Sequence, residues 1–269
     1  MILYESKLFK KYNLTVGTTD IRLNFKRDNH NFDSNLLALS NYLGIDTIDF
    51  LTVKQTHSTL IINAKDIDAS RLVEGDAIFL DYNLNSRLEV NHKSNIALGI
   101  KTADCIPIII HNTQTKETIA IHAGRKGVRN GIVDKCLELI CNPSLSNPQD
   151  LIVYIGPNIG PDNHIVYSQE LEGFDSKYYT LLPKGQHVIN NQFLFDKSLA
   201  SNTPSRDDLP NLISAHLDLS KFVIDKLLEF GIPASNIDNC KIDTFTNLKT
   251  HSYRRDAPDN GLSMTFMIL

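Results

Sequence analysis

Long apolar runs are missing from this 269-residue chain. None approaches the roughly 18 consecutive apolar residues that cross a bilayer. Residues 1–11 alternate charged and apolar side chains and offer no signal-peptide core. A cytoplasmic protein with no membrane contact is therefore expected. A cationic excess is missing too: net charge is −4, so no overall basic field invites nucleic acid. Cysteine is scarce. Cys105, Cys136, Cys141 and Cys240 contain no Cys-x-x-Cys pair, which argues against a zinc ribbon or redox dithiol. In a reducing compartment all four are expected as thiols. There is no Gly-x-Gly-x-x-Gly or Walker loop, which weakens a dinucleotide or nucleoside-triphosphate reading. Without a Gly-x-Ser-x-Gly elbow, a serine hydrolase fits poorly.

What is there is ordinary for a globular chain: 42% hydrophobic, 22% charged, and long enough to bury a full core. No repeat, low-complexity tract or linker divides it, so residues 1–269 read as one domain. The longest expected loops are 83–94 and 199–211, neither with the character of a domain boundary. Helical spacing of apolar residues predicts helices over 34–43, stopped by Gly44, and over 131–140. A longer helix is expected over 212–230, stopped by Gly231-Ile232-Pro233. β-prone runs predict strands over 48–53, 59–62, 77–80, 96–101, 106–110, 118–122, 151–155 and 265–269. Hairpin-like pairs with scattered helices point to an α+β fold with mixed sheets, not a doubly wound parallel one.

Three residues stand at ends of such runs: His57 in Lys54-Gln55-Thr56-His57-Ser58, Cys105 in Thr102-Ala103-Asp104-Cys105-Ile106-Pro107, and His122 in His122-Ala123-Gly124. One thiol and two imidazoles can hold a tetrahedral zinc with a position left open, the mark of a catalytic site. Each has a plainer reading. A cysteine in an apolar run is more often a small core residue, and a lone histidine at a strand end is more often a surface residue than a ligand. His30, His92, His111, His164, His187, His216 and His251 compete as ligands. Cys105 with either histidine also fits a nucleophile and its base. Asp104 is placed to orient a neighbouring histidine. Lys54 and Gln55 suit a polar or anionic substrate. The pairs Arg125-Lys126 and Arg254-Arg255 suit a phosphate clamp, or simply a solvated face. Gly156-Pro157-Asn158-Ile159-Gly160 is a tight turn whose amides can face an anion.

Taken in order, these segments, with Gly75-Asp76-Ala77 and Ser252-Tyr253-Arg254-Arg255, resemble the YfiH or laccase-domain family. The resemblance implies a single α+β domain and a zinc held by His57, Cys105 and His122. It implies phosphorolysis of purine nucleosides (adenosine, inosine, methylthioadenosine) and deamination of adenosine. Under it, Asp76 and Asp104 relay protons or orient ligands, and Lys54, Gln55, Lys126, Arg254, Arg255 and Asn24 contact nucleoside or phosphate. The chain departs from the family pattern in several places. Where the pattern has His-Ala-Gly-Trp-Arg-Gly, this chain has Arg125 and Lys126. Asn158 replaces a cysteine, and the closing arginine is missing at Gly261-Leu262.

Family members have also been described as copper-dependent polyphenol oxidases, and some linked to peptidoglycan editing. A copper site would use the same donors. Full multicopper chemistry, however, needs His-x-His pairs, and the chain has none. A Cys–His hydrolase and a non-catalytic member remain as further alternatives. No exposed repeat or heptad argues for assembly, so a monomer is expected, with nucleoside and phosphate as its partners.

Overall fold

A computed structural model describes residues 1–27, 30–46, 50–67, 73–81, 96–142, 144–182 and 214–269. A six-stranded sheet lies at the centre, in the order β13 (Ile237–Asn239), β9 (Leu151–Ile155), β7 (Ile106–Asn112), β8 (Thr118–Ala123), β5 (Ala77–Leu80) and β4 (Ile61–Asn63). Its middle strands pair antiparallel, while β13/β9 and β4/β5 are parallel. A five-stranded sheet runs β1 (Ile2–Glu5), β2 (Thr15–Thr19), β14 (Ser263–Ile268), β6 (Ala97–Thr102), β3 (Phe50–Leu51), with β3/β6 parallel. A small antiparallel sheet contains β10 (Ile165–Tyr167), β12 (Ser214–Leu217) and β11 (Tyr179–Leu181).

Alternation along the central strands sets the layers. Ile106, Ile108 and Ile110 of β7, with Ile119 and Ile121 of β8, face a core shared with α4 (Ile132–Ile140) and α5 (Leu219–Glu229). Ile109 and Ala120 face the opposite way, into a core shared with Leu98 and Ile100 of β6 and Met267 of β14. The far side of the five-stranded sheet is covered by α2 (Phe32–Leu43) through Leu39. Buried on both faces, β7 and β8 read as near-continuous apolar runs. Each fully buried isoleucine contributes about 1.5–3 kcal/mol, so these two strands anchor the fold. The result is an α+β domain with mixed sheets.

The strands over 77–80 and 151–155 and the helices ending at residues 43 and 140 fall where the apolar spacing put them. Gly44 takes a left-handed φ of 72° and closes α2. The long helix expected over 212–230 is corrected. Residues 214–217 form β12, and the helix begins only after Asp218, whose side chain accepts from the Lys221 amide. The register of β12 against two neighbours outweighs helical spacing that continues through Ala215 and Leu217. The strand expected at 48–53 is observed as Phe50–Leu51, residues 48 and 49 lying outside the described set. The loops expected at 83–94 and 199–211 also lie outside it. The N-terminal strands β1 and β2, and the short helices α1 (Lys7–Lys10), α3 (Arg125–Arg129) and α6 (Tyr253–Asp256), were not anticipated.

Candidate metal centre

Two connections cross from the five-stranded sheet to the six-stranded one, and each carries a candidate ligand. His57 lies between β3 and β4, and Cys105 between β6 and β7. The third, His122, stands at the end of β8, directly before α3. The topology thus gathers the three at one end of the stacked sheets. His57 Nε2 lies 3.6 Å from Cys105 Sγ. The two imidazoles meet edge to face, with centroids 4.7 Å apart. One ligand atom from each residue falls within 4.8 Å of the others. Tetrahedral zinc, with bonds of about 2.0–2.1 Å to nitrogen and about 2.3 Å to sulfur, spaces its donors roughly 3.3–3.6 Å apart. The thiol–imidazole pair has that spacing, and all three donors lie within 4.8 Å of one another. His122 is buried, Cys105 half-buried and His57 exposed, so the centre opens on the His57 side.

Asp76 organises this centre. The β5/β8 register pairs Ala77 with Ile121, which sets Asp76 beside His122. The His122 amide donates to the Asp76 carbonyl at 2.7 Å, and His122 Nδ1 lies 2.7 Å from Asp76 Oδ1. That bond leaves Nε2 to face a metal, the usual orienting role of a carboxylate behind a ligand histidine. The same carboxylate accepts from the backbone amides of Thr56, His57 and Ser58 and from the Ser58 hydroxyl. These bonds hold His57 at a left-handed φ of 59°, a conformation that persists only when its surroundings enforce it. Asp76 is fully buried. Burial alone would push its carboxyl up, but the bonds from His122 and Ser58 outweigh it and hold the group well below the usual carboxylate range.

The candidate ligands are tuned together. Loss of hydration opposes a thiolate at Cys105, yet the His122 charge and bonds from both imidazoles draw the thiol down to about 6. Loss of hydration likewise opposes a charged His122, but the Cys105 and Asp76 charges raise it to about 9. A thiolate beside an imidazolium is the state these groups prefer before metal binds, and the thiolate is the form that ligates. Gly124 makes the close packing possible. A Cβ there would stand 2.6 Å from His57 Cδ2 and 3.3 Å from Cys105 Sγ.

The remaining candidate residues divide. Asp104, at φ 83°, does not bond a histidine. Its carboxylate accepts from the Thr244 hydroxyl at 2.6 Å and the Arg254 amide at 2.5 Å, so it ties the Cys105 loop to α6. Burial raises its carboxyl despite those donors. Gln55 gives both ends of its amide to the Lys101 backbone, at 2.6 and 2.8 Å, clamping the His57 loop to β6. Lys54 is on the surface, paired with Glu74 at 2.7 Å. Lys126 is half-buried in α3 and makes no ion pair among the described residues. Arg254 is half-buried, and its guanidinium bonds only the Ile165 carbonyl among the described residues. Arg255 faces the other way: its guanidinium donates to the Thr244, Phe245, Asn247 and Thr250 carbonyls and to Asp256. That side chain spends its donors on the protein's own carbonyls and on Asp256. Asn24 accepts from the Lys26 and Leu262 amides. It lines a cavity of about 420 Å³ whose walls include none of the three ligand residues. Asn158 bridges Ser220 and the Gly156 carbonyl, a structural use of the position. Thr56, Ser58, Gly124, Thr244 and Glu170 were not singled out by side-chain chemistry. Only their place beside the motifs could have marked them.

Fold and site together define an α+β domain built around one open His-Cys-His centre. The chain belongs to the family described as multi-copper polyphenol oxidoreductase laccase, whose model matches residues 6–269. It is 27% identical over 263 residues to a purine nucleoside phosphorylase of Clostridium acetobutylicum, covering 96% of this chain and 92% of that one. It is 27% identical over 209 residues to adenosine deaminase RL5 of an unknown prokaryotic organism, covering 75% and 67%. In structure it is similar to YfiH of Bacillus licheniformis, with a TM-score of 0.70 at 20% identity over 96% of this chain and 93% of the other. No helix among the described residues is long and apolar enough to cross a membrane.

Proposed function

We propose that this protein is a zinc-dependent purine nucleoside phosphorylase acting on adenosine, inosine and methylthioadenosine, with adenosine deamination as a second activity of the same centre. One observation carries the reading. A His57–Cys105–His122 group that can hold a metal is tied through Asp104, next to Cys105, to the backbone of Arg254, whose guanidinium has no ion-pair partner among the described residues. The relatives named as phosphorylase and deaminase support the same two reactions.

Phosphorolysis forms a bond from a phosphate oxygen to C1′ of the ribose as the C1′–N9 bond breaks. The electron pair leaves on the purine, which takes up a proton. Deamination adds water at C6 of adenine and releases ammonia. His57, Cys105 and His122 would hold zinc, which supplies Lewis acidity toward a purine or a water. Asp76 keeps His122 in the ligating tautomer and the His57 loop in its strained turn. Arg254 and Lys126 bring positive charge to the anionic co-substrate, and Asp104 fixes the Arg254 backbone against the Cys105 loop. Positioning two reactants in one site removes much of the entropic barrier to their encounter.

Copper would find the same donors. Multicopper oxidation requires several centres, and among the described residues one His/Cys/Asp/Glu group can hold a metal ion. The test is chromatography of products from adenosine, inosine and methylthioadenosine with zinc-loaded protein, with and without phosphate. Free base appearing only with phosphate is expected, and inosine from adenosine without phosphate marks the deaminase. No product from any of them, in protein that holds zinc, would reject the reading.

A further inference from the structure

We propose that Arg125, Arg254, His164 and Tyr167 form a seat for a tetrahedral oxyanion, inorganic phosphate, beside the metal centre. The proposal rests on the phosphorylase reading above and names residues for its co-substrate. Two of the four carry buried polar atoms with no partner among the described residues: His164 Nδ1 and the Tyr167 hydroxyl. Buried polar atoms are nearly always bonded, so each such orphan calls for a partner that the described residues do not supply. His164 is 8% exposed, which rules out bulk water as an easy substitute.

The four groups share one neighbourhood. The charges of both Arg254 and Arg125 bear on His164, and those of Arg254 and Glu170 on Tyr167. His164 precedes β10 and Tyr167 ends it. Arg254 Nη2 donates to the carbonyl of Ile165, between them, at 2.9 Å. The other donors of that guanidinium are free among the described residues. Arg125 is held by an ion pair with Glu170, whose other oxygen accepts the Tyr167 amide at 2.9 Å. Glu170 thus orients Arg125 and leaves Arg254 without an ion pair.

The cluster joins the metal centre through two short links. Arg125 follows Gly124, which packs on Cys105 and His57. Arg254 is bonded through its backbone to Asp104, next to Cys105. A carboxylate has two oxygens and is satisfied by one guanidinium. Glu170 satisfies Arg125 in this way, so the unpaired donors of Arg254, the His164 imidazole and the Tyr167 phenol, with Arg125 adding its charge, suit the several oxygens of a tetrahedral anion.

Titration calorimetry of inorganic phosphate into zinc-loaded protein without nucleoside tests this, with Tyr167→Phe and Arg125→Met alongside. One phosphate per chain is expected, bound about tenfold more weakly in each variant, since a hydrogen bond to a charged group contributes at least that factor. Tyr167→Phe removes an oxygen that has no partner among the described residues, so its unfolding midpoint should equal or exceed the parent's. Phosphate affinity unchanged in both variants, or no phosphate heat in the parent, would overturn the seat. The two ideas fail separately. Phosphorolysis with an unchanged phosphate KM in both variants rejects the seat alone. Phosphate binding that weakens as stated, without cleavage of any nucleoside, rejects the phosphorylase alone.

Discussion

Replacing Asp76 by asparagine should damage both fold and metal centre. The carboxylate receives six donors: the Thr56, His57 and Ser58 amides, the Thr56 and Ser58 hydroxyls, and His122 Nδ1. Asparagine keeps one acceptor and turns an NH₂ group toward donors. With the oxygen in one place the NH₂ meets His57 and His122; in the other it meets Ser58. Two charge-assisted bonds are lost, at about 1.5–3 kcal/mol each, so metal-free stability should fall by roughly 3–6 kcal/mol. Loss of an orienting partner behind a ligand histidine weakens metal affinity about 10–100-fold. Urea unfolding of the metal-free protein and zinc competition against a chromophoric chelator measure the two effects. A stability change under about 1 kcal/mol with zinc affinity within twofold of the parent would refute this role. The pH dependence has a definite sign. The folded-state pKa of Asp76 is depressed, so its contribution is present above the unfolded carboxylate value near pH 4. It is lost as pH falls below that.

The metal-free Cys105 thiol is drawn down to about 6, whereas burial raises Cys240 to about 11. Iodoacetamide should therefore label Cys105 with a half-point near pH 6 and leave Cys240 untouched at neutral pH, and zinc should block the labelling. Labelling of Cys105 only above pH 8 would contradict the electrostatics described. Gly124→Ala puts a Cβ 2.6 Å from His57 Cδ2; zinc affinity should drop tenfold or more, with stability changed by under about 1 kcal/mol because His57 is exposed. Gln55→Ala frees the Lys101 amide and carbonyl and should cost about 2 kcal/mol in urea unfolding.

Much of this architecture can be read along the chain, and the failures have physical causes. Residues 106–110 and 118–122 are apolar on both faces because they form the middle of a sheet covered on both sides. Residues 214–217 carry apolar side chains at a spacing that suits strand or helix, and only pairing with β10 and β11 decides between them. The N-terminal hairpin escapes notice because β1 is a half-buried edge strand with weak alternation. The three ligand residues are visible as motifs, but their convergence depends on connections between two sheets. The partners of the acidic residues are equally non-local. Asp76 meets His122, 46 positions away, through strand register, and Asp104 meets Thr244, 140 positions away. Arginine pairs look alike in one dimension, yet Arg254 bonds Asp104 through its backbone and the Ile165 carbonyl through its side chain, while Arg255 caps a turn with its donors used up.

The most direct test of the central claim joins metal content to phosphate-dependent cleavage. Hypoxanthine release from inosine is followed across a range of phosphate concentrations, in parent protein and in Cys105→Ala, with zinc measured on the same samples. The account predicts one zinc per chain and release that saturates with phosphate in the parent, and loss of both in a Cys105→Ala protein that remains folded. Hypoxanthine released without phosphate, or released undiminished by Cys105→Ala protein that holds no zinc, would contradict it.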